Sequence, residues 1–208
     1  LTYTSENVSL LPSLINTLIM TLVSLAIAAP VGICSDLPCG ICKKGSRFVK
    51  LIRITAETLS GIPSIVYGLF GMLFFVTALH WGMSLLSGAL TMVTMVLPLI
   101  MRTAEEALKS VPDSYREASF GLGAGKLRTI FTIVLPSAVP GILAGVILAI
   151  GRVVGETAAL LYTSGTVAAV PNSLMGSGRT LALHMYVLSS EGLHVNQASA
   201  TAVVILAF

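Results

Sequence analysis

The chain has 208 residues, of which 55% are hydrophobic and only 10% are charged, and its formal net charge is +3. Average soluble domains carry about 25% charged residues, so this composition excludes an ordinary soluble protein and indicates an integral membrane protein. The small net charge gives no reason to expect a nucleic-acid partner. We therefore expect an all-α protein that spans the lipid bilayer.

Long uncharged stretches predict five membrane spans within a single domain, because a bilayer core needs about 20 apolar residues per helix. The chain starts at Leu1 rather than Met and ends at Phe208 inside an apolar run. We therefore expect a longer natural chain, truncated here at both ends, with six spans in all. The five visible spans cover roughly residues 11–34, 62–79, 84–103, 133–162 and 197 onward.

Two groups of basic residues predict the orientation of these spans. The positive-inside rule makes both groups cytoplasmic. One group lies between the first and second spans, and the other lies in or beside the segment between the third and fourth: Lys43, Lys44, Arg47, Lys50 and Arg53, then Arg102, Lys109, Arg116, Lys126 and Arg128.

Neither the cysteines nor the histidines predict a metal site. Cys39 and Cys42 form one C-x-x-C, and Cys34 is nearby, but a structural zinc needs four ligands and no second pair is present. Reduced thiols are the expected state. The three histidines are scattered, and we expect no metal and no cofactor.

Residues 104–132 form the only long polar stretch between two predicted spans, and they indicate two short helices joined by a glycine elbow. Pro112 suits a helix start, and Gly123 and Gly125 permit the left-handed turn that ends a helix. A second helix is expected to run to Pro136, where proline interrupts the entry to the fourth span. The first helix carries small and apolar residues on one face: Tyr115, Ala118, Ser119 and Leu122.

The glycines of FGLGAGKL, residues 120–127, do not form a nucleotide-binding loop, because their spacing fits neither the Walker nor the dinucleotide pattern. Two readings of the polar stretch remain open. It is an amphipathic loop at the lipid headgroups, which Lys126 and Arg128 would suit, or it is a docking element for a cytoplasmic partner.

The stretch EASFGLGAGKLRTIFTIVLP resembles the EAA loop of ABC-importer permeases. Ser119 replaces the third small residue of that pattern. The resemblance implies that this loop lies in a cleft of an ATP-hydrolysing subunit, with Gly123 as a hinge and the small face at Ala118 and Ser119 as a packing surface. The positions that fall in register are Glu117, Ala118, Gly123, Ile133, Leu135 and Pro136.

Arg152 and Glu156 lie within the fourth predicted span, four residues apart and so on one expected helical face. A charge at the bilayer centre costs roughly 2.5–3.5 kcal/mol, so such residues are candidates for function. They either neutralise each other near the interface or line a pathway, where the arginine binds an oxyanion and Glu156 holds the guanidinium. Thr157 and Tyr162 would add hydroxyl donors.

Three further stretches, GIPSIVYGLFG, LPLIMRTAEEALKSVPDSYREAS and GRVVGETAALL, resemble the phosphate importer permeases of the Pst type. RTLALHMYVLSSEG favours the PstA type over the PstC type. The resemblance implies a MetI-like helical bundle in a bacterial or archaeal inner membrane. It also implies the usual partners: a second, PstC-type permease, a homodimeric PstB-type ATP-binding subunit and an extracytoplasmic PstS-type phosphate-binding protein.

The same resemblance implies roles for single residues. Membrane arginines that match Arg102 and Arg152 are associated with phosphate passage, although position alone also allows Arg102 to be an interfacial anchor. Ser64 is expected to face the pathway. Ala159 stands where many relatives have proline, so the fourth span is expected to run straighter here. Two small-xxx-small pairs in that span, at 141 and 145 and at 151 and 155, are expected to pack mainly within the chain.

The leading hypothesis is a permease subunit of an ATP-driven importer of inorganic phosphate, which is not itself an enzyme. An ABC permease for sulfate, molybdate or a phosphonate is the closest alternative. A secondary transporter or channel should show inverted repeats, which the sequence lacks. A membrane enzyme would need a nucleophile–base or metal constellation beyond Arg152 and Glu156.

Overall fold

A computed structural model describes residues 9–41, 47–191 and 195–207. Within these ranges the chain is helical and contains no β-strand, in agreement with the predicted all-α class. The predicted basic loop at Lys43 and Lys44, and Cys42 with it, lie outside the described residues. The α-helices are α1 (Leu11–Ile41), α2 (Arg47–Ser60), α3 (Ser64–Gly71), α4 (Leu85–Ser110), α5 (Asp113–Gly121), α6 (Lys126–Thr129), α7 (Leu135–Gly155), α8 (Ala158–Thr163), α9 (Leu181–Glu191) and α10 (Val195–Ala207).

Three helical stretches of the described chain are long and apolar enough to cross a membrane: Leu11–Ser35, Leu85–Ser110 and Lys126–Gly155. A fourth is present if the pair Ile54–Ser60 and Ser64–Ala78, which is bent by 99°, counts as one span. The bend falls at the Gly61–Pro63 segment, since the residue before a proline disfavours the α conformation. The predicted fifth span corresponds to α10, which is shorter than these. An integral membrane fold is therefore confirmed.

The entry to α7 differs from the prediction at Pro136. We expected this proline to interrupt the helix, but helical structure continues from Lys126 to Gly155. A π-helical segment, Ile130–Val134, lies directly before α7. A proline removes one backbone hydrogen bond and crowds the carbonyl four residues earlier, and a π turn accommodates both effects without ending the helix. The predicted interruption is therefore wrong.

The chain forms two compact units. The first comprises Leu1–Ala26, Ile62–Met95 and Ile150–Phe208, and the second comprises Ile27–Gly61 and Val96–Ala149.

The second unit is held together by small residues that let its helices approach closely. A Cβ added to Gly141 would lie 2.7 Å from the Cβ of Ala107, and one added to Gly145 would lie 2.6 Å from the Cβ of Thr103. This pair therefore packs α7 against α4 within the chain, as predicted. Around it lies an apolar core: Ala104, Ala107, Leu108, Val111, Val134, Ala138 and Ile142.

The first unit contains an equally close contact between α3 and α8. A Cβ added to Gly68 would lie 2.7 Å from the Cα of Ala159. The segment between α8 and α9 is tied to α1, because the side-chain amide of Asn16 donates to the carbonyl oxygens of Ala169 (3.0 Å) and Arg179 (3.2 Å). The backbone N–H of Leu181 donates to the hydroxyl of Thr17 (2.8 Å).

Candidate functional site

The helix that carries Arg152 ends at Gly155, directly before Glu156. A new short helix, α8, begins at Ala158, and the Oε1 atom of Glu156 accepts the backbone N–H of Ala159 at 3.3 Å. This carboxylate therefore caps α8 by binding one of the backbone donors that have no partner within the helix. The expected straighter span at Ala159 is wrong, because the helix breaks before that residue is reached.

The predicted pairing of Arg152 with Glu156 on one helical face is also wrong. A shared face needs a continuous helix, and the chain leaves the helix between the two residues. Within the described part of the chain, no ion pair joins Arg152 to Glu156.

Arg152 lies on an open face of α7. Its side chain is exposed, and so are Gly151 and Gly155 beside it. A Cβ added to either glycine would meet no atom of the described residues within 4 Å, so within this part of the chain the second glycine pair does not pack against another helix, in contrast to Gly141 and Gly145. The guanidinium of Arg152 thus lies on an apolar helix beside two exposed glycines that have no side chains to cover it.

Tyr67 is the residue of this site that the sequence reasoning missed. It is buried on α3, within range of the positive charge of Arg152. Ser64 is partly buried three residues earlier, on the same face of α3 as Tyr67 and Gly68. The spacing of Ser64, Tyr67 and Gly68 within GIPSIVYGLFG could have shown that Ser64 shares its face with a tyrosine.

The chemistry available at this site is that of oxyanion binding. A guanidinium offers five N–H donors in a planar fork that matches carboxylate and phosphate oxygens. Thr157, a predicted site residue, is partly buried next to Glu156 in the break between the helices. A fixed cation, a capping carboxylate and a hydroxyl thus belong to one short segment of the first unit.

Arg102 lies on α4 and belongs to the second unit. Its Nε atom lies 3.2 Å from Oε1 of Glu106, and the two side chains are 63% and 66% exposed. An ion pair this exposed contributes only about 0–1 kcal/mol, so the guanidinium can exchange this partner for another anion at little cost.

A glycine elbow separates α5 from α6, as predicted. We call α5, α6 and the elbow at their junction, residues 121–125, the foot; Gly121 is also the last residue of α5. Gly123 has φ = +79°, the left-handed conformation that glycine adopts without strain. The N–H of Ala124 donates to the carbonyl of Ser119 at 3.1 Å, and the N–H of Gly123 to that of Phe120 at 2.9 Å. These two bonds form a Schellman motif, so the glycine ends α5 in the way the sequence predicts.

The predicted small and apolar face of α5 lines a groove in the foot. The groove has a volume of ≈ 480 Å³. Leu122 at its edge is 90% exposed, which is unusual for a leucine. Its lining residues are Tyr115, Ala118, Ser119, Leu122, Gly123, Ala124, Arg128, Thr132 and Ile133.

The two small residues of that face differ in their surroundings. Ala118 is exposed, whereas Ser119 is only 3% exposed and its Oγ lies 2.8 Å from Oγ1 of Thr129. Ala118 thus offers surface to the outside, while the hydroxyl of Ser119 is bound within the foot. The other residues of the motif lie at the surface or near it: Glu117 and Pro136 are exposed, and Ile133 and Leu135 are partly buried.

Arg116 fastens the foot to α4. Its Nη2 donates to the carbonyl oxygen of Leu108 at 2.9 Å, and its Nη1 lies 3.0 Å from Oδ1 of Asp113. Leu108 is in the last turn of α4, where carbonyl groups lack helical partners and a cation is favourable. The sequence reasoning counted Arg116 only as one of the basic residues.

Within the described ranges, no group of three or more His, Cys, Asp or Glu side chains could hold a metal ion. Cys34 is a free, exposed thiol.

Residues 28–208 match the protein family described as "Binding-protein-dependent transport system inner membrane component". The chain is 34% identical over 193 residues to a probable ABC transporter permease protein, YqgI, of Bacillus subtilis, covering 86% of this chain and 66% of that protein. It is 39% identical over 154 residues to phosphate transport system permease protein PstA 1 of Mycobacterium tuberculosis, covering 74% of this chain and 50% of that protein. The chain thus spans about half to two thirds of the length of these relatives.

A solved structure with a similar fold is the MetNI methionine ABC transporter in an inward-facing conformation. The TM-score is 0.70 at 18% sequence identity, and the match covers 94% of this chain and 85% of that one. At this identity the likeness shows the fold alone. It agrees with the MetI-like helical bundle that the sequence resemblance implied.

Proposed function

The chain belongs to the family of inner membrane components of binding-protein-dependent transport systems, and we propose that it is a permease subunit of an ATP-driven importer that moves inorganic phosphate into the cytoplasm. The observation that carries the proposal is the exposed Arg152 on an apolar helix, combined with relatives named as PstA phosphate permeases. An uncompensated arginine in a span is costly, so its place on an open face needs a functional reason.

Arg152 would form a transient binding site, or station, for phosphate along the transport pathway. In this proposal its guanidinium replaces part of the hydration shell of the anion with fixed N–H donors, and the hydroxyl of Thr157 adds a further donor. Glu156 contributes negative charge close by without neutralising Arg152 in an ion pair, which keeps the anion from binding too tightly to leave. Arg102, whose exposed ion pair is easily exchanged, would form a second station, and Ser64 would face the same pathway.

The foot would be the point at which an ATP-hydrolysing partner acts. An exposed leucine and an open groove are typical of a surface that a partner covers. The foot carries the motif residues Glu117, Ala118 and Gly123 and would lie on the cytoplasmic side. ATP binding by the partner would favour one of two permease conformations through contacts that differ between them. Arg116 would pass the movement of the foot to α4.

The partners in this proposal are a second permease of the PstC type, a homodimeric ATP-binding subunit of the PstB type and an extracytoplasmic phosphate-binding protein of the PstS type. The open face around Gly151 and Gly155 would be covered in that assembly. A permease for another oxyanion remains the second candidate, because a guanidinium also binds sulfate and molybdate.

The test is uptake of labelled phosphate by the complete complex in proteoliposomes. We expect ATP-dependent uptake by the wild type, little competition from sulfate or molybdate, and a loss of at least about tenfold in Arg152→Gln at equal assembly. Lys109→Gln removes an exposed cation of α4 that does not line the groove and controls for the change in net charge. Uptake of sulfate or molybdate instead of phosphate would favour the second candidate, and wild-type uptake by Arg152→Gln would remove Arg152 from the pathway.

A further inference from the structure

The elbow of the foot contains more glycine than its geometry requires. Gly123 needs the left-handed conformation, but Gly121 and Gly125 do not have a positive φ, and a Cβ added to either would meet no atom within 4 Å. Each glycine that is not needed increases the conformational freedom of the chain. Three glycines within five residues therefore make the elbow flexible at the place where a movement of α6 would have to be transmitted to α5.

A chain of two hydrogen bonds crosses this flexible elbow. Thr129 Oγ1 lies 3.2 Å from the carbonyl oxygen of Gly125 and 2.8 Å from Oγ of Ser119. The single hydroxyl proton of Thr129 is donated to Gly125, so Ser119 is the donor in the other bond. The relay therefore runs from α5 through the Thr129 hydroxyl of α6 to the backbone of the elbow.

The relay is protected from water. Ser119 is 3% exposed and Thr129 is 1% exposed. A buried hydrogen bond does not compete with solvent, so its geometry is better maintained than that of a surface bond. Ser119 is also the position at which this chain departs from the loop it resembles, which has a third small residue, alanine, there. Alanine has no hydroxyl and could not make this hydrogen bond.

We infer that Ser119 and Thr129 are positioning residues, because their hydrogen-bonded hydroxyl pair restricts the motion of the three-glycine elbow. A movement of α6 and the groove is then transmitted to α5 and does not merely bend the elbow. This inference rests on the proposed function, because it assumes that the foot receives the movement of an ATP-hydrolysing partner. It adds an element that the motif lacks: stiffness is supplied by a hydrogen bond across the elbow and not by the backbone of the elbow itself.

Ser119→Ala is a clean probe, because Thr129 keeps its own bond to Gly125 and no buried donor or acceptor is left without a partner. Ser114→Ala is the matched control, since it removes an exposed hydroxyl from the same helix. Gly121→Ala with Gly125→Ala is the rescue pair: both methyl groups fit, and both restrict the backbone of the elbow.

Two quantities are measured on the complete complex. Amide hydrogen exchange of the segment 118–130 reports the stiffness of the elbow, and the ratio of phosphate imported to ATP hydrolysed reports coupling. For Ser119→Ala we expect exchange to accelerate, and the ratio to fall, by about two- to tenfold, the range that corresponds to one hydrogen bond. Ser114→Ala should change neither quantity, and adding the rescue pair to Ser119→Ala should restore both.

Three results would overturn the inference. Unchanged hydrogen exchange in Ser119→Ala would show that the hydroxyl pair does not stiffen the elbow. Faster exchange with an unchanged ratio would leave the pair a purely structural role, and failure of the rescue pair would show that Ser119 acts by another route. The exchange measurement does not depend on the cargo. If the wild type imports no phosphate, the proposed function fails separately, and coupling is then read with the anion that the complex does import.

Discussion

A methyl group added to Gly68 would lie 2.7 Å from the Cα of Ala159, so α3 and α8 contact each other backbone to backbone. Gly71, one turn further along α3, is equally enclosed, with Thr91 and Thr163 around it. Small residues allow such close approach between helices in a membrane, where packing rather than the hydrophobic effect holds helices together.

We therefore expect Gly68→Ala to destabilise the protein by about 1–3 kcal/mol, because backbone atoms cannot move aside as a flexible side chain can. The measurement is thermal unfolding in detergent, followed by tryptophan fluorescence or by loss of monodisperse protein. Gly151→Ala is the matched control, since a Cβ there meets nothing. Equal unfolding temperatures for the two variants would contradict the contact.

Glu156 gives a second prediction, because its two roles can be separated. In Glu156→Gln the amide oxygen can still accept the N–H of Ala159, whereas Glu156→Ala loses this cap and should cost about 0.5–2 kcal/mol of stability. If the negative charge weakens anion binding, Glu156→Gln should lower the KM for phosphate by about fivefold, as expected for roughly 1 kcal/mol. Uptake measured over a range of phosphate concentrations provides the test; an unchanged or higher KM would argue against the electrostatic role.

Gly123 gives a third prediction, because its φ of +79° is unfavourable for any residue with a side chain. Gly123→Ala should weaken the elbow by about 1–2 kcal/mol. Gly123→Arg adds bulk to the groove as well and should abolish most uptake in a complex that still assembles. The measurements are copurification of the ATP-hydrolysing subunit and phosphate uptake. Gly125→Ala, at φ = −71°, is the control and should be affected much less; normal transport by Gly123→Arg would exclude a coupling role for the foot.

His184 gives a fourth prediction, on pH. It is buried in α9, and burial together with the nearby positive charge of Arg179 lowers its pKa from 6.5 to about 4. The unfolded chain therefore binds a proton in the window between these values that the folded chain does not. Stability from this group is fully present above pH 6.5 and is lost as the pH falls towards 4.

The unfolding temperature of the wild type should accordingly drop between pH 7.5 and pH 5 by more than that of His184→Gln, in which no titration occurs at this position. Subtracting the drop of His184→Gln from the drop of the wild type removes the effect of other groups that titrate in the same range. Parallel pH profiles for the two proteins would show that His184 does not titrate in this window.

The sequence predicted those features that depend on a single residue or on regular spacing. Gly123 was identified as the end of α5 because glycine favours the left-handed turn found there, and Tyr115, Ala118, Ser119 and Leu122 line one groove because helical spacing places them on one face. The first two features follow from local geometry. The packing of Gly141 and Gly145 was predicted from their spacing, but the same spacing led to the same prediction for Gly151 and Gly155, which meet no atom of the described residues within 4 Å.

The sequence reasoning failed where the outcome depends on several neighbours at once. Arg152 and Glu156 were placed on one face because a continuous span was assumed, whereas α7 ends at Gly155. Pro136 was expected to break a helix, but the π-helical segment before α7 accommodates it. Tyr67 and the anchoring of α1 by Asn16 depend on contacts between distant parts of the chain, which periodicity does not reveal.

The near-complete exposure of Leu122 has a consequence for the life of the subunit before assembly. A newly made chain without its partner subunits exposes this leucine and also the rings of Phe120 and Phe131, and exposed apolar side chains bind chaperones, proteases and other copies of the chain. Expression of this subunit alone should therefore give a low yield of protein and aggregation. Co-expression with the subunit proposed to cover the foot should raise the yield.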